Sequence, residues 1–358
     1  MSPYGHWRRR IVHWISAYKA RKILPTVKYV HLLHNDKFAK PFVDFLNRNF
    51  PTAEHLILCQ RTANHPFPTG PNVLEVRKFF KGINLDRPNI DKIICHSLFV
   101  GEIVDYFYFH PDLQRNKAYW LIYGGDLYEA PRDEKNDFVR RNFKGYINKI
   151  DEQYAKIKYA IAKDFLMGSD FFPTLAIKPN NVQKNSSTTR IQINNSSDDS
   201  TLEILHQLSH FSLEDIEITT ILSYGDNDAK DKIIKTGKQL FGQKFSYLED
   251  FLPPEDYVNY QAACDILILN QKRQQGYGNT LKALLLGKKV YIRSDVSTYN
   301  FLKQMGAKIY DSINIPHESW DSLIHFPAEE GFQNANVISN TYSLENTKNI
   351  WQNIFNHK

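Results

Sequence analysis

The chain has 358 residues, 42% of them apolar, and a formal net charge of +6. That length and apolar content suit two folded domains with real cores and exclude a disordered or low-complexity chain. The first 35 residues hold seven Lys/Arg and no acid while the remainder is close to neutral, so the basicity is local and no nucleic-acid partner is expected.

The three cysteines, Cys59, Cys95 and Cys264, are odd in number, widely spaced and set in or beside apolar runs. They read as buried thiols of a reducing compartment, and neither a disulfide framework nor a zinc site is expected.

Residues 1–24 place Trp7, Ile11, Trp14, Ile15 and Tyr18 at helical spacing, interleaved with Arg8, Arg9, Arg10, Lys19, Arg21 and Lys22. A helix with this pattern gains both from apolar burial in a headgroup layer and from attraction to anionic lipid. The segment is read as a peripheral membrane contact, the other reading being a solvated helix docked on its own domain. His13, Ser16 and Lys19 interrupt it, so it is not a signal peptide, and no stretch reaches the ~20 apolar residues that span a bilayer.

After Pro25 short strands and helices alternate over residues 25–172. Strands are expected at 27–33 (VKYVHLL), 55–59, 92–95 and 117–123 (KAYWLIY), and helices at 38–47 and 101–109. Such alternation predicts βαβ units and a parallel, doubly wound sheet, in which ligands bind beyond the carboxyl ends of the strands. Those ends carry His34, Asn35 and Asp36, then His96, then Gly124-Gly125-Asp126-Leu127-Tyr128-Glu129. Asp126 is expected to point into the crevice as a proton acceptor for an incoming hydroxyl, or else to cap a helix. His96 and Asp36 are rival acid/base candidates. From Asp137 to Phe165 the chain reads as mostly helical and charged, with a solvated face that includes Arg140 and Arg141.

Residues 173–189, rich in Pro, Asn and Ser, read as a linker. A second alternating set fills 190–358, with the last helix expected to pack back on the first domain. Three of its strand ends carry small polar clusters: Asn194 to Asp198, Tyr224 to Asp228, and Lys272 to Thr280 (KRQQGYGNT). In the last, Gly276 and Gly278 separate the apolar run CDILIL from a helix, so the turn is either a simple tight turn or a phosphate cradle at a helix N-terminus. Loops of this kind spread amide and hydroxyl donors around a diphosphate without a metal. Asp226-Asn227-Asp228 spells D-x-D, here read as turn-forming residues in place of a metal motif. Two α/β halves joined by a linker predict two Rossmann-like parallel-sheet domains facing a cleft.

Several of these motifs together resemble glycosyltransferase family 56. The resemblance rests on Trp120 to Glu129 (WLIYGGDLYE), close to a family pattern W-x-x-x-G-x-D-L-Y-E; on Asn195-Ser196-x-Asp198; on Tyr224-Gly225; on Gln274-Gln275-Gly276-x-Gly278 with the adjoining helix; and on the strand-end His96. It covers roughly residues 90 to 310 and leaves out the first 25.

The resemblance implies a GT-B type transferase that needs no metal and no cofactor. It would move N-acetylfucosamine from a dTDP-sugar donor to a polyprenyl-diphosphate-linked glycan acceptor, in enterobacterial common antigen assembly. The enzyme would lie peripherally at the cytoplasmic face of the bacterial inner membrane. The C-terminal domain would hold the donor through Asn195, Ser196, Tyr224, Gly225, Gln274, Gln275, Gly276, Gly278, Asn279 and Thr280. The N-terminal domain would receive the acceptor near Asp36, Tyr128 and Glu129, with Asp126 first and His96 second as base. A sugar-nucleotide epimerase on the same fold and a non-enzymatic membrane-surface binding module are the alternatives.

Overall fold

The computed structural model describes residues 3–63, 65–168, 176–178, 187–194, 198–223 and 227–358, with side chains from residue 10 onward. It divides into two compact units, Met1–Pro173 with Lys348–Lys358, and Thr174–Thr347. Residues 173–175 and 179–186 of the expected linker lie outside the described residues.

The first unit is built on six strands: β1 (Tyr29–His34), β2 (His55–Gln60), β3 (Val73–Glu75), β4 (Lys92–His96), β5 (Ala118–Leu121) and β6 (Gly145–Ile147). Their order across the sheet is β3-β2-β1-β4-β5-β6, and each neighbouring pair is parallel. Runs such as LILC and IIC are buried on both faces, which is why they are apolar without alternation. The chain winds one way from β1 through β2 to β3 and the other way from β4 to β6. The switch point therefore lies between β1 and β4, where Leu33 stands beside His96.

The second unit repeats this plan with β7 (Thr189–Asn194), β8 (Ile216–Ile221), β9 (Phe245–Leu248), β10 (Ile266–Leu269), β11 (Lys289–Ile292) and β12 (Tyr310–Asp311). Their order is β12-β11-β10-β7-β8-β9, again parallel throughout, so the switch point lies between β7 and β10. Ile193 pairs with Ile268 there, and the polar residues beyond the two strands emerge side by side.

Three local findings differ from the sequence reading. The stretch 137–165 is not one helical run: helix Glu134–Arg141 ends, β6 forms, and helix Glu152–Tyr159 comes after it. Its Tyr146 and Ile147 are buried as the edge of the sheet. Arg140 is not on a solvated face but buried, its guanidinium 5.6 Å from the Trp120 ring and donating to the Asp126 carbonyl. Short strand β3 and helix Pro111–Lys117 carry too little periodicity to announce themselves.

The N-terminal helix, Pro3–Ile23, docks through His13, Ser16, Ala17 and Ala20, all buried, with Leu24 just beyond its end. The His13 Nδ1 accepts from the Arg77 amide at 3.2 Å and the Arg21 Nε donates to the Gly82 carbonyl at 3.1 Å. The opposite side leaves Ile11, Trp14, Ile15 and Tyr18 between 41% and 60% exposed. At the other end of the chain, Trp351, Ile354 and Phe355 of helix Leu344–Asn356 are buried in the first unit's core with Tyr29, Phe42 and Ile94. Apolar side chains of that size contribute about 2–3 kcal/mol each on burial. Cys59, Cys95 and Cys264 are free and buried, and burial pushes the Cys59 thiol up to about 12 and the Cys264 thiol to about 11.

Candidate active site

At the second unit's switch point the chain leaves β10 and turns through Gly276, which takes the left-handed conformation (φ 71°) and stands as N-cap of helix Tyr277–Leu285. A Cβ on residue 276 would lie 3.0 Å from Asn194 Nδ2 and 3.1 Å from Leu269 Cδ2. Glycine is thus required twice, once for its backbone and once for the close approach of β7. Gly276, the N-cap, has no side chain to cap the helix itself, and a helix start of this kind is suited to an anion.

Asn194 closes the floor of this turn. It is 2% exposed, its Oδ1 accepts from Gln192 Nε2 at 2.8 Å, and its Nδ2 has no hydrogen-bond partner among the described residues. A buried amide donor with nothing to give to is costly unless a ligand supplies the acceptor. Around it the turn is braced by neutral groups. Gln271 Nε2 donates to the Asn194 carbonyl at 3.1 Å, and Gln261 Nε2 donates to the Asn279 carbonyl at 2.9 Å. Asn270 Nδ2 donates to the Ser200 carbonyl while its Oδ1 accepts from Ser312 Oγ at 2.8 Å.

Of the expected donor-site residues, Gln274, Gln275, Gly276, Gly278, Asn279 and Thr280 are thus gathered on one turn and helix start. Thr280 is buried and turns its hydroxyl back to the Gly276 carbonyl at 3.2 Å, so it braces the helix start. Asn195, Ser196, Tyr224 and Gly225, with the D-x-D residue Asp226, lie outside the described residues.

In the first unit, Gly124 (φ 89°) turns the chain after β5, and Asp126 stands in helix Gly125–Tyr128. Asp126 does not point into open space: it is 2% exposed and both carboxylate oxygens are engaged. Its Oδ2 accepts from the Leu98 amide at 2.9 Å and from Trp120 Nε1 at 2.7 Å, and its Oδ1 from the Tyr123 amide at 3.0 Å. Nor does it cap a helix, since the N-cap is Gly124 without a side-chain bond. The carboxylate instead ties the end of β4 to the end of β5. Burial raises its carboxyl above the ordinary value, and the three hydrogen bonds pull the other way.

His96, at the end of β4, is buried. Its Nδ1 lies 3.4 Å from the Tyr123 hydroxyl and its Nε2 3.1 Å from His31 Nδ1. His31 Nε2 in turn lies 3.1 Å from His55 Nδ1. Burial pushes His96 down to about 3 and His55 to about 4, and holds His31 well below its ordinary value, so all three are neutral at pH 7. Tyr123 is half-buried, and its ring meets Phe38 edge-on at 5.6 Å.

Asp36 sits close by in the chain after β1. Its Oδ1 accepts from the amides of Phe38 at 2.8 Å and Ala39 at 3.1 Å, and burial raises its carboxyl against the pull of those two bonds. The strand ends of β1, β4 and β5 therefore bring Asp36, His96 and Tyr123 to one edge. Tyr128 turns away, its hydroxyl donating to Asp151 Oδ1 at 2.8 Å, and Glu129 is exposed. Tyr123, His31 and His55 carry no site expectation from sequence, and Asn194 carries one only as the first residue of the Asn194 to Asp198 cluster. A histidine inside the apolar run VKYVHLL is the one signal that marks His31.

The sequence profile of the family described as 4-alpha-L-fucosyltransferase, glycosyl transferase group 56, matches residues 91–305. No curated protein matches the chain significantly in sequence. Among solved structures, sucrose-phosphate synthase from Thermosynechococcus elongatus is similar with a TM-score of 0.64 at 10% identity, covering 92% of this chain and 98% of its own. A glycosyltransferase from Rickettsia africae is similar with a TM-score of 0.61 at 12% identity, over 92% and 98%. A structure described as trehalose-6-phosphate from E. coli bound with UDP-2-fluoro glucose has a TM-score of 0.58 at 10% identity, over the same shares. At such identities the likeness concerns the fold, which is the α/β GT-B type that the two parallel sheets form.

Proposed function

We propose, from the premise that this chain belongs to the glycosyl transferase group 56 family and is a glycosyltransferase, that it moves a deoxyamino sugar, N-acetylfucosamine, from a dTDP donor to a polyprenyl-diphosphate-linked glycan. The observation that carries this reading is the turn at Gly276. There a left-handed glycine opens a helix directly over the buried Asn194 Nδ2, which has no hydrogen-bond partner among the described residues, an arrangement that suits a diphosphate leaving group. The similar E. coli structure is described as holding UDP-2-fluoro glucose, which fits a nucleotide-sugar donor for this chain as well. Asn195, Ser196, Tyr224 and Gly225 are assigned to the same donor site.

In this reading the acceptor hydroxyl attacks the anomeric carbon and the bond to the diphosphate breaks, its electron pair passing to the phosphate oxygen. The charge that builds there is met by helix amides and neutral carboxamides, which do for the leaving group what a divalent cation does elsewhere. His96, reached through the Tyr123 hydroxyl, takes the acceptor proton. Asp126, with both oxygens held, positions the ends of β4 and β5 that carry those two groups.

A polyprenyl acceptor puts the reaction at the cytoplasmic face of the inner membrane. The exposed Ile11, Trp14, Ile15 and Tyr18 beside Arg10, Lys19, Arg21 and Lys22 support that location, as an amphipathic contact with anionic lipid. Among the described residues no helix is long and apolar enough to cross a membrane.

Calorimetric titration tests the donor site. dTDP is expected to bind one to one in the presence of EDTA, and a chain that binds neither dTDP nor UDP under any metal condition contradicts the reading.

A further inference from the structure

We infer that His96, His31 and His55 form a proton relay that carries the acceptor proton across the first sheet, an inference that rests on the transferase reading. The three rings belong to the end of β4, the middle of β1 and the start of β2. They make one unbroken line from the carboxyl edge of the sheet, where Tyr123 meets His96, to its amino edge, where His55 adjoins Glu54.

The line is shielded from solvent and packed between aromatic rings. His31 is fully buried, His55 is 1% and His96 3% exposed. Phe42 lies against both His31 and His96, at 5.5 and 4.5 Å between ring centres, and Phe355 of the closing helix packs on His55 at 4.8 Å. Trp351 of the same helix lies parallel to His96 at 6.2 Å. Among the described residues both His31 nitrogens have a neighbouring imidazole as partner, and His96 Nδ1 has the Tyr123 hydroxyl.

A neutral imidazole has one N–H and one bare nitrogen. With both nitrogens of His31 in contact with a histidine, the two contacts can be satisfied by neutral rings in two ways only. In the first, Tyr123 donates to His96 Nδ1, His96 Nε2–H donates to His31 Nδ1, and His31 Nε2–H donates to His55 Nδ1. In the second every one of these bonds is reversed. Passing from the first to the second moves one proton through the line without leaving a charge on His96 or His31.

As the acceptor oxygen bonds to the anomeric carbon and the phosphate oxygen leaves with the electron pair, the acceptor proton goes to the Tyr123 oxygen. The Tyr123 proton goes to His96 Nδ1, the His96 Nε2 proton to His31 Nδ1, and the His31 Nε2 proton to His55 Nδ1. His55 then passes its Nε2 proton towards solvent at the sheet's amino edge by way of the neighbouring Glu54 carboxylate, whose charge acts on its ring and which pairs with Lys28 at 2.6 Å. After product departs, solvent protons reset the line in the opposite sense. His31 and His55 touch no reacting atom, so both are positioning residues that act through His96.

The test replaces His31 in the full-length enzyme and measures sugar transfer. For His31→Gln, which fills the space but cannot exchange tautomers, kcat is expected to fall about 100-fold, within the range of a lost general base, with KM for donor and acceptor unchanged. His31→Ala opens a ring-sized cavity, and added imidazole is expected to restore transfer, whereas thiophene, of similar size but without nitrogens, restores none. If His31→Gln does not fold, His55→Gln at the far end is expected to show the same kcat loss. Unchanged kcat in the folded variant, or equal rescue by thiophene, overturns the relay and leaves the transferase standing. A wild-type enzyme that transfers no sugar overturns both.

Discussion

The carboxyl edges of the two sheets are built on one topology and furnished with opposite chemistry. In the first unit the edge is made of titratable side chains, Asp36, His96 and Asp126, each buried or half-buried and held by hydrogen bonds. In the second, among the described residues, those closing directly on the Gly276 turn are neutral carboxamides, Asn194, Gln271 and Gln274, with Arg273 donating to the Gln274 carbonyl. Groups that titrate manage a proton, and groups that do not can hold a diphosphate at constant charge across the pH range. The same doubly wound plan thus presents two chemistries by changing the residues just beyond each strand, which the proposed function assigns to acceptor and donor.

Gly276→Val breaks the donor side most completely. Positive φ and contacts at 3.0 and 3.1 Å leave no room for the side chain, so dTDP affinity measured by calorimetry is expected to fall at least ~100-fold, in line with a strain of about 1–3 kcal/mol plus lost amide contacts. His96→Phe strikes the acceptor side, with an expected kcat loss of ~100-fold or more and dTDP binding unaltered, read from transfer kinetics beside the same calorimetry.

Asp126→Asn sharpens the contrast between a base and a brace. An amide nitrogen would replace an oxygen that now faces only N–H donors, so thermal unfolding is expected to show a loss of about 1–3 kcal/mol. Transfer per folded molecule is expected to stay within a few-fold. A stable Asp126→Asn enzyme that has lost transfer would return the base to Asp126.

Much of the fold was legible because β1, β4, β5 and β10 are short apolar runs ended by polar strand-end loops and alternate with helical stretches, the pattern of a buried parallel sheet. Gly276 was legible as a special turn. The close approach of Asn194 was not, because it comes through the pairing of β7 with β10, a contact between distant parts of the chain that no local pattern encodes. The bonds that bury Asp126 were hidden for a related reason. The residues that occupy its carboxylate, Leu98 and Trp120, come from strand ends placed beside it by the sheet. The histidine line depends on the register of β1 between β2 and β4, so three ordinary histidines in sequence become one object only in the fold.

The pH response separates the two edges further. The folded values of His55 and His96 lie near 4 and 3, below the unfolded value of 6.5, so the unfolded chain takes up protons first as pH falls. The stability these groups permit is full above pH 6.5 and is lost between about 6.5 and 3, whereas no such loss arises from the carboxamides around Gly276. Thermal midpoints measured from pH 8 to pH 4 are expected to fall, and His55→Phe to flatten that fall. The smallest effect concerns the N-terminal helix. Trp14→Ser with Ile15→Ser is expected to reduce sedimentation with anionic vesicles several-fold and to leave dTDP binding as it was, because both side chains are exposed.

Transfer itself is the most direct test of a metal-free sugar transferase with a lipid-linked acceptor. Purified enzyme, labelled dTDP-N-acetylfucosamine and a polyprenyl-diphosphate-linked glycan are incubated in EDTA, and the lipid fraction is counted. Label is expected in the lipid, with dTDP released in equal amount. Release of free sugar with no labelled lipid, or transfer that appears only when a divalent cation is restored, would contradict that assignment.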